Sequence, residues 1–152
     1  MNKSIEKKFY HDVAGALNEL SEKIHDSNVT AGWWAKPEEY GELRALIVAN
    51  EATHLLPALI KAFERNEGEI LALIHSEISE ALEGLRKGLV DDHLPNRAMV
   101  EVELADTLIR IFDYAGYLGL DLGGALIEKL DYNQTRADHK PENRAKPGGK
   151  AF

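Results

Sequence analysis

Apolar residues recur at three- and four-residue intervals along most of this chain, and runs in which they alternate with polar residues are few. With about 3.6 residues per helical turn, such spacing lines apolar side chains along one helix face, whereas a strand would scatter them over both of its faces. The sequence therefore predicts an all-α fold, a helical bundle of about five helices whose core is completed by oligomerisation.

The first predicted helix covers 4–25, with Phe9, Val13, Ala16, Leu17, Leu20 and Ile24 as its stripe. The stretch HDSNVTAGWWAKP then breaks the period and reads as a loop carrying Trp33 and Trp34. A second helix runs from Glu38 to Arg65, interrupted or kinked at Pro57, where proline lacks a backbone donor, so that two shorter helices are an alternative here. The third covers Glu67 to Lys87 and stops at Gly88. After the connector VDDHLPN, the fourth covers Arg97 to Leu118, and a fifth follows Asp121 as N-cap and reaches Arg136. One domain, 1–136, is expected, with a Pro/Gly-rich basic tail over 137–152.

Composition narrows the chemistry. The 152 residues are 44% hydrophobic and 29% charged, as in an ordinary globular chain, and enough for one core. There is no cysteine, which excludes thiolate metal sites and cysteine nucleophiles and leaves oxygen or imidazole ligands. A net charge of −8 argues against wholesale nucleic-acid binding. The tail is the exception, since Arg136, Lys140, Arg144, Lys146 and Lys150 outnumber Asp138 and Glu142. The first residues, MNKSIEKKFYHD, lack the apolar core of a signal peptide, and no run is long enough to span a membrane, so a cytoplasmic protein is expected.

Two carboxylate pairs stand out. IHSEISEALEG sets Glu77 and Glu80 three residues apart, and VELADTLIR does the same for Glu103 and Asp106, so each pair shares a helix face. On the third helix the apolar stripe is Ile70, Leu71, Ile74, Ile78, Ala81, Leu82 and Leu85, with Glu77 and Glu80 on its flank beside Leu73 and Gly84. On the fourth, a broad arc of Val100, Leu104, Leu108, Ile111, Phe112 and Ala115 leaves one polar stripe of Glu103, Asp106, Arg110, Asp113 and Tyr117. Four carboxylates converging between packed helices repel one another unless some are protonated or a divalent cation neutralises them. Mg²⁺, or Mn²⁺, suits all-oxygen ligands and commonly bridges to substrate phosphates. The ordinary alternative for an E-x-x-E pair is a solvated helix face.

The string SEISEALEGLRKG, followed by VELADTLIRIFDYAGYLGLDL and EKLDYNQTR, resembles the MazG-like all-α nucleoside triphosphate pyrophosphohydrolases, whose relatives include dCTP pyrophosphatases, dimeric dUTPases and phosphoribosyl-ATP pyrophosphatase. The signature there is E-E-x-x-E, a gap, then E-x-x-D; here 22 residues, 81–102, separate Glu80 from Glu103. The resemblance covers 69–136, with weaker matches at GWW and at the closing GGKAF. Two departures are Ser76 in place of the leading Glu, and a longer segment over 44–67.

The resemblance implies Glu77, Glu80, Glu103 and Asp106 as catalytic metal ligands, and Lys129 and Asn133 as residues facing a nucleotide. Helical spacing would place Arg136 on the same face as those two, and Arg110, one turn after Asp106, within reach of a phosphate. Trp33 and Trp34 stack on a base or plug an apolar seam; two adjacent indoles in a loop do not easily both enter a core. The activity implied is Mg²⁺-dependent hydrolysis of a nucleoside triphosphate to the monophosphate and pyrophosphate, with one of the four carboxylates or a neighbour such as Glu51 accepting the water proton, in a homodimer or homotetramer. Two other readings stay open: a di-iron or di-manganese bundle, for which Glu51 and His54 supply one E-x-x-H pair, and a non-enzymatic helical interaction module.

Overall fold

The computed structural model describes residues 3–34, 37–137 and 140–144. It is all-α: α1 (Lys3–Thr30), α2 (Pro37–Ala49), a 3₁₀ turn (Thr53–Leu55), α3 (Leu56–Phe63), α4 (Glu67–Lys87), α5 (Met99–Leu118), α6 (Leu122–Thr135) and α7 (Pro141–Arg144). These form two compact units, residues 21–118 and residues 1–20 with 119–152, with the boundary inside α1 and at the end of α5. Among the described residues, no helix is long and apolar enough to cross a membrane.

Several boundaries depart from the sequence reading, each for a local reason. α1 continues through His25–Thr30, a stretch expected as loop, because His25 and Asn28 are bonded to Asp113 of α5. The break after α2 falls at Asn50–Ala52, where Glu51 takes φ 56°, and not at Pro57. Pro57 instead opens α3, where a missing N–H costs nothing because first-turn amides have no intrahelical acceptor. α5 starts at Met99 because Arg97 is held in the connector: Asp91 N donates to Arg97 O (3.1 Å), and the Asp91 carboxylate accepts from His93 N and Leu94 N (2.9 and 2.6 Å). The tail contains the short helix α7, seen in no periodicity; most of its remainder, GGKAF included, lies outside the described residues.

The ends of α4 follow the sequence. The Asn66 side chain accepts from Glu69 N (3.3 Å), Glu67 and Glu69 lie in the first turn, and Gly88 closes the helix with φ 63°. In the unit of 1–20 and 119–152, Asp121 caps α6 by accepting from Gly124 N (2.9 Å), and Asn18 links α1 to the same turn by accepting from Gly123 N and donating to Asp121 (both 2.7 Å).

In the unit of 21–118, α4 packs antiparallel on α5. The buried residues of that pair are Ile70, Glu77, Ala81 and Gly84 on α4, and Glu103, Thr107 and Ala115 on α5. This corrects part of the predicted stripes: Ile70, Ala81 and Ala115 are buried as expected, but Leu71, Ile78, Leu82, Leu85, Leu104 and Leu108 are exposed, while Glu77, Gly84 and Glu103 beside them are buried. Small side chains decide it. A Cβ on Gly84 would lie 2.9 Å from the Met99 side chain, so the helices meet along the Ala81–Gly84 flank and leave the bulkier stripe outside.

A second close approach joins α5 to the last part of α1. A Cβ on Gly116 would lie 2.6 Å from Ser21 O and 2.7 Å from His25 Cβ, whereas one on Gly15 meets nothing within 4 Å. Gly116→Ala is expected to cost about 1–3 kcal/mol through overpacking, and Gly15→Ala to be neutral or to stabilise by up to ~1 kcal/mol through helix propensity. Thermal melts of the two variants check this; equal shifts would show that the close approach has no energetic weight.

Candidate functional site

α4 and α5 bring three of the four sequence-predicted carboxylates together. One oxygen each from Glu77, Glu80 and Glu103 lies within 4.8 Å of the others. Glu77 and Glu103 are only 6% and 8% exposed, while Glu80 is open to solvent. Asp106 stands outside this trio, on the wall of the adjoining cleft, near enough that the Glu77 charge raises its pKa along with burial, against the opposing pull of Arg110.

Two buried carboxylates in contact cannot both stay ionised unaided. The chain meets this in two ways. Arg110 Nε donates to Glu77 Oε1 at 2.6 Å. Protonation of Glu103 becomes easier: burial first, then its hydrogen bond with Glu77 and the charges of Glu80, Glu77 and Asp106, push its pKa from 4.5 up to about 7. The donor set is all oxygen, partly dry and short of positive charge, which is what a hard divalent cation requires.

Beside this trio is a cleft of about 270 Å³ lined by Trp33, Trp34, Arg65, Asp106, Arg110 and Asp113 among others. Its aromatic wall hangs on Asp113. That carboxylate accepts from Trp34 Nε1 (2.9 and 3.0 Å) and from Asn28 Nδ2 (2.7 Å), and its Oδ1 lies 2.8 Å from His25 Nδ1. Trp34 is thereby buried, stacked on Tyr117 at 4.2 Å between ring centroids. Trp33 next to it is 71% exposed. Arg65 spans the two, donating to Trp33 O at 2.9 Å and lying 4.9 Å from the centre of the Trp34 ring.

The other sequence-predicted residues stand as follows. Lys129 and Asn133 lie on α6 in the unit of 1–20 and 119–152, with Lys129 Nζ 4.8 Å over the Tyr132 ring and Asn133 Oδ1 buried without a hydrogen-bond partner. Arg136 is the C-cap of α6, and its guanidinium lies 5.8 Å from the centre of the Tyr132 ring, the same ring that Lys129 Nζ covers. Ser76 Oγ donates to Leu73 O and sits on α4 just before the trio. Glu51 and His54 are exposed around the turn after α2 and, among the described residues, join no metal-holding group. Sequence reasoning missed Asp113 as an organiser, and His25, Asn28 and Arg65 altogether. The only signal was Asp113's place on the polar stripe of α5.

Because folded Glu103 keeps its proton to higher pH than the unfolded chain does, its share of stability is intact below about 4.5 and lost as pH rises through about 7. In chelator-treated protein, Glu103→Gln should therefore gain in melting temperature relative to the unmodified chain as pH rises across that window; a gap that does not change with pH would show that Glu103 is not held protonated. Searches against family models, curated proteins and solved structures found no match to this chain.

Proposed function

We propose that this chain is a cytoplasmic, MazG-like nucleoside triphosphate pyrophosphohydrolase that uses Mg²⁺, with Mn²⁺ as a substitute, to release pyrophosphate and a nucleoside monophosphate. The observation that carries the reading is the convergence of Glu77, Glu80 and Glu103, two of them buried, beside a cleft with guanidinium groups and an exposed indole. A solvated acidic face, the ordinary alternative, would not bury two of its members.

Glu77, Glu80 and Glu103 would hold the cation, with Asp106 on the cleft side as the fourth carboxylate. A cation there would supply charge neutralisation for the triphosphate and activation of the attacking water. The protein's own contribution is placement. Arg110 offers a guanidinium to phosphate oxygens, Trp33 offers a flat apolar surface to a base, and the α4–α5 pair keeps the carboxylates fixed while charge shifts at phosphorus. Asp106 lies on the cleft wall with its pKa raised, which suits a group that takes the water proton. On α6, Lys129 and Asn133 are kept as the residues that the resemblance implies for a nucleotide, and Asn133 has a buried oxygen that lacks a partner.

A second copy of the chain belongs to the same reading. Leu71, Ile78, Leu82 and Leu85 form one face of α4, Leu104 and Leu108 one face of α5, and each is between 42% and 66% exposed. Such uncovered leucines and isoleucine suit an interface of standard size, in which each partner buries roughly 800 Å². Leu82→Asp with Leu85→Asp should shift the protein to monomer in light scattering; an unmodified chain that is already monomeric would remove the homo-oligomer.

Catalysis is tested with a panel of nucleoside triphosphates in Mg²⁺, assayed for pyrophosphate. Glu80→Gln and Asp106→Asn should lose activity by at least about 100-fold while keeping the far-UV circular dichroism of the unmodified chain. Full activity in either would remove that residue from the site, and no hydrolysis of any triphosphate would leave a helical interaction module.

A further inference from the structure

The Arg110–Glu77 pair has a feature that a structural ion pair does not need. Glu77 is almost fully buried on α4, but the guanidinium that neutralises it comes from a side chain 43% exposed on the wall of the cleft. Nε is the atom engaged with Glu77, and a guanidinium has four further N–H donors on its terminal nitrogens. Arg110 thus sits between the carboxylate trio and the cleft, in reach of one and facing the other.

We propose that Arg110 is a charge-exchange latch: without a cation it neutralises Glu77, and when a divalent cation takes Glu77 it turns into the cleft and binds the phosphate that arrives with the cation. This rests on the trio being a cation site. The physical ground is that buried Glu77 requires a positive partner, and that Arg110 Nε already engages its Oε1 at 2.6 Å. A cation held by the trio would neutralise Glu77 in the guanidinium's place and repel Arg110. The displaced guanidinium then has an exposed path into a cleft where planar, forked donors match phosphate oxygens. Arg65 remains fixed on Trp33 O and over Trp34, so the cleft keeps one positive charge in both states.

The latch makes cation and phosphate binding mutually favourable, since each removes an obstacle to the other, and such coupling is reciprocal. It also predicts opposite effects of one substitution on two ligands. Arg110→Gln removes the competitor for Glu77 and should tighten binding of Mg²⁺ alone. The same change removes a phosphate contact and should weaken binding of the Mg²⁺ complex of methylenebisphosphonate, a phosphate mimic that cannot be hydrolysed. Each change should be roughly tenfold, within the range typical of coupled sites. Arg110→Lys, which keeps the charge and spares the fold, should move both affinities in the same two directions by less.

Titration calorimetry on the full chain reads both affinities without any turnover. Opposite shifts support the latch. Parallel loss of both affinities, or a Mg²⁺ affinity the same in Arg110→Gln as in the unmodified chain, overturns it and leaves Arg110 as a structural partner of Glu77. An unmodified chain that takes up no Mg²⁺ with or without the bisphosphonate overturns the cation reading itself, and the latch with it.

Discussion

The contact of Glu77 with Glu103 across the α4–α5 seam is the constraint to which the rest of this unit is fitted. A helix pair normally closes over apolar residues, and here the closest part of the seam holds two acids among small neighbours, Ala81 and Gly84. The small side chains bring the helices near enough to shut the carboxylates away from water, and burial then compels protonation, ion pairing or a cation. Arg110 and the raised pKa of Glu103 meet that demand in part. An arrangement that costs stability and contributes none is the kind of local inconsistency expected where a sequence serves a site instead of a core.

Helix identity was legible in the sequence, and so was the pairing of carboxylates, because both depend on spacing within a single helix. The interior face was legible only in part: Ile70, Ala81 and Ala115 of the expected stripes are buried, but the bulky leucines are not. Counting apolar residues put Leu71, Ile78, Leu82 and Leu85 inside, although the structure leaves them exposed. The count measures which face dislikes water, not which face lies nearest the neighbouring helix. On α4 these differ, because the close approach is set by Gly84, which contributes almost nothing to an apolar count. Gly84 stood on the carboxylate flank in the sequence, and a glycine inside an otherwise strong helix is itself a sign of a tight neighbour. Prolines misled in the opposite sense: Pro57 looks like an interruption, but it is tolerated in the first turn, and the actual break is marked by the positive φ of Glu51.

The aromatic wall was less legible, for a different reason. Trp34, His25 and Asn28 are all bound by Asp113, which is separated from them by 79, 88 and 85 residues. No local pattern reports a pairing of that span. What the sequence did contain was the incompatibility of two adjacent indoles with one core. The structure resolves it through hydrogen bonding: a buried indole N–H requires an acceptor, Asp113 supplies it to Trp34, and Trp33 is left facing outward.

The two parts of the site are therefore held by different kinds of force. The carboxylates are fixed by the backbone of two long helices, so their spacing changes only if the helix pair does. The Trp33 and Arg65 edge of the cleft rests on a short peptide before α2 and on a residue just before α4, joined by single side-chain bonds. Such an edge can be rebuilt by substitution without disturbing the acids, and the longer segment over 44–67 ends at it. If the trio carries the chemistry, the choice among bases falls to this edge, where a change of one residue alters the shape offered to a ligand and leaves the α4–α5 seam as it was.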